Sequence, residues 1–150
     1  MGSTQASRTN GKPHRAVRDS DYRQLADFRH AIRIFLEFSE HAARDAGVTP
    51  QQHQALLAIR GMNAPEGVNL GALAERLRIR HHSAVELVNR LVAAGLVVRD
   101  EDPQDLRRVL VALTTRSKGI LQSLSAIHLE ELRRLKPVLS SVLALADEDS

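Results

Sequence analysis

The chain has 150 residues, 43% of them hydrophobic and 26% charged, with a formal net charge of +3, a balance typical of a soluble single-domain protein and compatible with nucleic-acid binding. Because it contains no cysteine, it has no disulfide framework, no thiolate nucleophile and no thiol redox switch. Its apolar stretches fall far short of the roughly 18 residues that span a membrane, so the sequence predicts a cytoplasmic protein without a membrane partner.

The first 19 residues are rich in small, polar and basic side chains and show no apolar periodicity, which predicts a flexible N-terminal tail. A long helix is predicted next, over residues 20–46, because its apolar side chains repeat at helical spacing on two faces. One face can pack on the chain's own core and the other on a second subunit. The alternative is a helix that its own chain covers on several sides.

Two shorter helices are predicted from their capping signals. Thr49 and Gln52 have the spacing of a capping box, so a helix is predicted to begin between them. After a loop over residues 63–67, Asn69 is the predicted N-cap of a helix over residues 70–78. This helix positions the one that follows, as the first helix of a helix-turn-helix does.

The second helix of this pair is predicted over residues 81–94, with one buried stripe and one polar face. The stripe consists of Ala84, Leu87, Val88 and Leu91. The polar face consists of His82, Ser83, Glu86, Asn89 and Arg90. Such a helix can enter the major groove of DNA, where its polar side chains reach the base edges. An ordinary amphipathic surface helix has the same periodicity, so the pattern alone does not decide between the two.

A charged β-hairpin is predicted directly after this helix. Gly95 ends the helix, and residues 96–98 begin an extended run. A charged loop over residues 100–108 then leads to residues 109–113, which alternate as a half-buried strand does. Helix, turn, helix and hairpin together predict a winged helix-turn-helix, in a fold that is otherwise mainly α.

The same residues carry a family resemblance, in the segments LGALAERL and RHHSAVELVNRLVAAGLVVRDEDPQDLRRVLVALT. In this core the chain resembles the MarR family of bacterial transcription regulators. Seven residues match the family's wing motif: Asp102, Pro103, Asp105, Arg107, Val111, Leu113 and Thr114. Two positions differ, because Arg80 stands where the family usually has a capping serine and Glu86 where it usually has an arginine. The family's base preference therefore does not transfer to this chain.

The resemblance implies that Asp105 orients Arg107, which enters the minor groove. A narrow minor groove concentrates negative potential and so favours a positioned guanidinium. With the polar face of the second helix, this predicts a set of DNA-binding residues: His82, Ser83, Glu86, Asn89, Arg90, Asp105, Arg107 and Arg108. The alternative for His82 is a side chain that is exposed to solvent and does not contact DNA.

Beyond residue 115 the chain is predicted to return to helix, with leucines and other apolar residues at alternating steps of three and four. This seam is wider than one small domain buries, so residues 20–46 and 116–146 are predicted to build an intertwined homodimer. Residues 47–115 form the DNA-binding lobe of what is expected to be one domain over 20–150. Pro137 is expected to kink or divide the last helix near Lys136.

The family resemblance also implies a small effector, often aromatic or phenolic, between the dimerisation helices and the DNA-binding lobe. His41, His53 and His128 come from the three elements that would surround it, and imidazoles supply polar contacts in an apolar pocket. Seven histidines also raise the alternative of a metal site. No pair has metal-ligand spacing, so neither a metal nor a cofactor is predicted.

No glycine-rich phosphate loop, His-Glu metal motif or nucleophile elbow occurs, so an enzyme is not predicted. The sequence predicts a homodimer that binds a pseudo-palindromic operator in double-stranded DNA. The resemblance to the MarR family further implies that this protein responds to a ligand and acts as a repressor. The alternative is a winged-helix module that binds protein and not DNA. Cations along the groove-facing surface favour DNA, and they include Arg90, Arg99, Arg107 and Arg108.

Overall fold

The computed structural model describes residues 15–148, so most of the predicted N-terminal tail lies outside the described residues. Within that range the chain forms five helices and three strands. Their bounds are α1 (Asp19–Asp45), α2 (Pro50–Gly61), β1 (Val68–Asn69), α3 (Leu70–Leu77), α4 (His81–Ala93), β2 (Val97–Asp102), β3 (Asp105–Leu113) and α5 (Thr115–Asp147). The predicted fold class, mainly helical with a small sheet, is confirmed.

The chain divides into two compact units, one of residues 33–134 and one that joins the described residues before 33 to those after 134. The first unit contains the hydrophobic core, which α2, α3, α4 and the sheet build together. Leu56, Leu73, Leu91 and Val111 are each fully buried there. At roughly 1.5–3 kcal/mol per buried aliphatic side chain, such residues hold the helix pair against the sheet.

The predicted helix starts in this unit are confirmed by their caps. The Thr49 hydroxyl accepts from the backbone N–H of Gln52 at 3.0 Å, and the Gln52 side chain accepts from the Thr49 backbone N–H at 3.0 Å. Asn69 Oδ1 accepts from the backbone N–H of Ala72 at 2.7 Å and caps α3. Each cap satisfies a helix-terminal donor that the helix itself cannot pair.

The sheet has one strand more than the sequence predicted. It is antiparallel with the order β1-β3-β2, and Val68 of β1 pairs with Val111 of β3. A strand of two residues is too short to show a detectable alternation of apolar and polar side chains, so β1 was not predicted. Gly67 makes this pairing possible, because it adopts a φ of +108° and a Cβ there would lie 3.0 Å from the Leu110 Cβ.

The wing, which is the hairpin of β2 and β3, differs from the prediction in its loop. Residues 100–108 were predicted as a charged loop, but β2 continues to Asp102 and β3 begins at Asp105, so that Pro103 and Gln104 form a two-residue turn. Charged residues occur both in loops and in exposed strands at a sheet edge, so the composition of this segment could not distinguish the two. The paired part of the hairpin is therefore longer than predicted, with a shift of register between Glu101 and Asp102.

Helix α5 continues through Pro137, so it is not divided there, and the kink expected at this residue stays a prediction. A proline inside a helix removes one backbone hydrogen bond, and the bonds of the neighbouring turns continue on either side. The start of the helix is capped reciprocally. The Ser117 hydroxyl accepts from the Thr114 backbone N–H at 3.1 Å, and the Thr114 hydroxyl accepts from the Ser117 backbone N–H at 3.2 Å.

In the second unit, four charged side chains join the residues before α1 to the end of α5. Arg15 Nη1 donates to buried Asp21 at 2.6 Å, and Arg18 Nη2 donates to Glu148 at 2.6 Å. The hydrogen bond from Arg15 holds the pKa of Asp21 well below its usual range, and the backbone N–H of Arg18 lowers that pKa further. Across residues 15–148, no helix has the length and apolar character needed to cross a bilayer.

Candidate nucleic-acid interface

Helix α4 is anchored by its apolar stripe and exposes most of its polar face. Ala84, Leu87, Val88 and Leu91 are all buried in the core, as their spacing predicted. His82, Glu86, Asn89 and Arg90 are exposed, whereas Ser83 is half-buried. Because the buried stripe fixes the rotation of the helix about its axis, the exposed side chains share one direction.

The C-terminal end of α4 is tied to the start of α5. Gly95 ends the helix with a φ of +70°, and its carbonyl accepts a 2.8 Å hydrogen bond from the Thr114 hydroxyl. Arg116 Nη1 donates to the carbonyl of Ala94 at 2.6 Å. A cation at the carboxyl end of a helix is also favoured by the helix dipole. Arg116 was not predicted from the sequence, because its partner is distant along the chain.

A side-chain hydrogen bond joins α4 to the wing. Arg99 Nη1, on β2, donates to Asn89 Oδ1 at 2.7 Å. Both side chains are exposed, so the bond lies at the surface that the sequence predicted to face DNA. Asn89 was predicted from the polar face, whereas its contact with Arg99 depends on the tertiary placement of β2 and could not be read from spacing.

The wing places a carboxylate against two guanidinium groups. Asp105 Oδ1 accepts from the backbone N–H of Arg107 at 3.1 Å and from Arg107 Nε at 3.3 Å, and Arg108 Nε lies 3.9 Å from Asp105 Oδ2. The Arg107 side chain is 93% exposed. Exposed ion pairs add little to stability, so this pair matters for orientation rather than for folding.

The end of α3 and the turn that leads to α4 carry three arginines. Arg76, Arg78 and Arg80 are exposed, and within residues 15–148 none of the three forms an ion pair. Arg78 caps α3 in the left-handed conformation, with a φ of 58° and a ψ of 41°. Arg80 is the N-cap residue of α4 and makes no side-chain capping bond. These arginines were not among the predicted DNA-binding residues.

Two of the three predicted effector-pocket histidines are in contact. The rings of His53 and His128 lie 4.9 Å apart, and Phe35 and Phe38 approach His128 edge-on at 5.8 and 5.4 Å. His128 Nδ1 lies 2.6 Å from the Leu124 carbonyl, so this nitrogen carries the proton that it donates. Its other nitrogen lies 2.8 Å from the Ser39 hydroxyl. Burial lowers the pKa of His53, and the neighbouring His128 lowers it further.

The third histidine, His41, is exposed and lies apart from this pair. It lines a cavity of about 440 Å³ that is bounded by Phe38, His41, Ala42, Asp45, Ala46, Ser123, Leu124 and Ile127. This cavity shares Phe38 and Leu124 with the surroundings of His128. Within residues 15–148, no three His, Asp or Glu side chains are grouped so as to hold a metal ion.

Residues 46–108, from the end of α1 into the wing, match the sequence model of the MarR family. The match covers less than half of the chain, and over this segment the chain resembles the MarR family. The resemblance predicted from the helix pair and the wing motif is thereby confirmed. The matched segment includes all of α4, and it includes both Asp105 and Arg107 of the wing ion pair.

Individual proteins are similar to the chain over part or most of its length. A relative from Thauera aromatica, named as a regulatory protein for the hcr operon, is 36% identical over 86 residues, which cover 57% of this chain and 50% of that protein. The chain thus spans half the length of this relative. The name is that of a transcription regulator and not of an enzyme, as the sequence predicted.

Solved structures show the same fold. A mutant of S. aureus MepR, bound to an oligodeoxyribonucleotide, has a TM-score of 0.65 at 20% identity, and the match covers 83% of this chain and 97% of that one. CouR from Rhodococcus jostii RHA1, bound to p-coumaroyl-CoA, has a TM-score of 0.65 at 23% identity, and the match covers 80% of this chain and 83% of that one. Both likenesses support the winged helix architecture of this chain.

Proposed function

We propose that this protein is a MarR-family regulator, a cytoplasmic, sequence-specific transcription regulator that represses by binding double-stranded DNA as a homodimer. The observation that carries the proposal is the anchored helix α4, which exposes His82, Glu86, Asn89 and Arg90 beside a wing with an oriented arginine. The structural neighbour MepR is bound to an oligodeoxyribonucleotide, which supports DNA as the partner.

The two parts of this surface divide the work of binding. Helix α4 enters the major groove, where its polar side chains read the donors and acceptors of base edges. Arg107 enters the adjacent minor groove, and its contact with Asp105 holds the guanidinium in place before DNA arrives. Sequence preference therefore comes mainly from the helix, and electrostatic affinity mainly from the wing.

Homodimerisation through α1 and α5 explains the apolar side chains that these helices expose. Leu25 of α1 is 48% exposed and Leu143 of α5 is 66% exposed, and several others share this property. Apolar surface of this kind marks an interface. A symmetric dimer presents two copies of α4, so its operator is a pseudo-palindrome with half-site centres about 10 base pairs apart.

A small aromatic or phenolic effector binds at the cavity beside His41, whose apolar wall contains Phe38, Leu124 and Ile127. The ring of His128 contacts Phe38 edge-on, and His53 lies against His128. The bound p-coumaroyl-CoA of CouR supports an aromatic effector. Such a ligand releases DNA only if it binds the non-DNA-binding conformation more tightly, with a coupling of roughly 1–3 kcal/mol.

A mobility-shift titration on the region upstream of the protein's own gene tests the proposal. A scrambled duplex of equal length and composition measures non-specific binding. Arg133→Ala is a control variant that should bind both duplexes as the unchanged protein does, because Arg133 is exposed and lies outside the matched segment. We expect a preference of at least about tenfold for the upstream duplex. Equal binding of both duplexes would favour the alternative of a protein-binding winged helix.

A further inference from the structure

The turn between α3 and α4 holds two arginines at positions where other residues would fold more favourably. Arg78 adopts the left-handed conformation, which any residue with a Cβ enters at a cost and which glycine enters freely. Arg80 occupies the N-cap of α4 without a capping bond, where serine or aspartate would accept from the helix. Its positive charge also opposes the dipole of α4.

The surroundings give neither arginine a compensating partner. Both side chains are exposed, and within the described part of the chain neither forms an ion pair. Arg76 adds a third exposed cation at the end of α3. Glu75 is the one acidic residue between positions 69 and 85, so the turn has a concentrated positive charge. The left-handed backbone ends α3, because the N–H groups of Arg78 and Ile79 donate to the last carbonyls of the helix. Glycine would supply the same backbone bonds without the strain, so the arginine side chain itself has no structural role in the described part of the chain.

We propose that Arg78 and Arg80 contact backbone phosphates of DNA on either side of the turn. This inference rests on the proposed function, and it adds two binding residues that the predicted set does not contain. The turn immediately precedes α4, so its side chains lie at the edge of the groove that α4 enters. Guanidinium groups bind phosphate oxygens well, and such contacts position the protein without reading sequence.

The proposal predicts opposite effects on stability and on DNA binding, which a purely structural role does not. Arg78→Gly relieves the left-handed strain and should raise the melting temperature by about 2–4 °C. Arg80→Ser supplies a capping hydroxyl and should raise it similarly. Each substitution should weaken binding to matched and scrambled duplexes by the same factor, about tenfold at low salt, and reduce the salt slope by about one.

Matched variants separate charge from stability. Arg78→Lys keeps the cation and the strain, so its melting temperature and salt slope should equal those of the unchanged protein. Asn63 is the other described non-glycine residue with a positive φ, at 47°, so Asn63→Gly relieves strain outside the turn. It should leave DNA binding unchanged, which would show that stabilisation alone does not weaken binding.

The experiment combines melting curves with anisotropy titrations at several salt concentrations on both duplexes. An Arg78→Gly protein that melts at a lower temperature would overturn the strain argument. One that keeps both its affinity and its salt slope would overturn the phosphate contact. A loss on the matched duplex alone would also overturn it, because a base contact would then replace the phosphate. If the unchanged protein binds no duplex, the proposed function itself fails.

Discussion

Arg99 of wing strand β2 donates a 2.7 Å hydrogen bond to Asn89 of helix α4, so the wing and this helix are in direct contact. The bond occupies one acceptor site on Asn89 Oδ1 and leaves the amide N–H groups of Asn89 available. It also withdraws one of the five N–H donors of Arg99. In the proposed complex, the presentation of Asn89 to DNA therefore depends on a residue of the wing.

A double-mutant cycle tests this dependence. Arg99→Ala and Asn89→Ala should each weaken operator binding, and the double variant should lose less than the sum of the two, by about 0.5–1.5 kcal/mol. Dissociation constants of the four proteins on one operator provide the measurement. The pair Arg99→Ala and Arg133→Ala should be additive. Additivity for Arg99 and Asn89 as well would show that the hydrogen bond does not affect DNA binding.

Arg107→Ala should weaken binding at most sites and lower the salt slope by about one, since one phosphate-neutralising cation is lost from the minor groove. Asp105→Ala should have the same effect more weakly, because the arginine remains but its Nε loses the carboxylate at 3.3 Å. Titrations across salt concentrations measure both. Unchanged affinity and slope for Arg107→Ala would remove the wing from the mechanism.

Glu86→Ala should change base preference rather than overall affinity for non-specific DNA. Glu86 is exposed on α4, and a carboxylate in the major groove accepts from the amino group of cytosine while repelling nearby phosphates. Binding to a panel of operators with single base-pair changes measures this preference. An unaltered ranking of the panel would show that Glu86 does not contact a base.

Most of this surface was predictable from the sequence, and the remainder has physical reasons for having been missed. Local signals predicted the caps of α2 and α3 and the buried stripe of α4, because each depends on residues within one or two helical turns. The Arg99–Asn89 and Arg116–Ala94 contacts join separate elements, so no spacing rule reports them.

Residue type was a misleading signal in the wing and at the α3–α4 turn. Charged residues 100–108 suggested a loop, although most of them belong to two paired strands. Arg78 gave no sign of a left-handed conformation, because glycine and asparagine are the residues that usually mark it. His41 was grouped with His53 and His128 by element, whereas its exposed side chain lies apart from their rings.

The buried histidine should make stability depend on pH. The pKa of His53 is lowered in the folded protein, so near and below pH 6.5 the unfolded chain binds more protons than the folded one. The free energy of unfolding should therefore be highest above about pH 6.5 and fall as the pH drops below it. Urea unfolding between about pH 5 and 8 should show this fall for the unchanged protein and for His41→Gln, which alters an exposed histidine.

For His53→Gln the dependence should be smaller, since the group responsible has been removed. Equal pH dependence with and without His53 would contradict the assignment of this effect to buried His53.

Dimerisation should depend on the exposed apolar side chains of α1 and α5. Leu143→Asp introduces a charge on a side chain that is 66% exposed, so it should shift the protein to monomer without removing a core residue. Leu135→Asp, at a half-buried position, should have the same effect. Light scattering at micromolar concentration measures the mass. A monomeric mass for the unchanged protein would rule out the two-half-site operator.

Methylation interference on the operator separates the two modes of contact, α4 in the major groove and the wing in the minor groove beside it. Dimethyl sulfate modifies guanine N7 in the major groove and adenine N3 in the minor groove, so the two contacts have separate signals. We predict interference at guanine N7 within each of two half-sites whose centres lie about 10 base pairs apart, and at adenine N3 flanking them. Binding that is indifferent to methylation of both grooves would contradict this division between helix and wing.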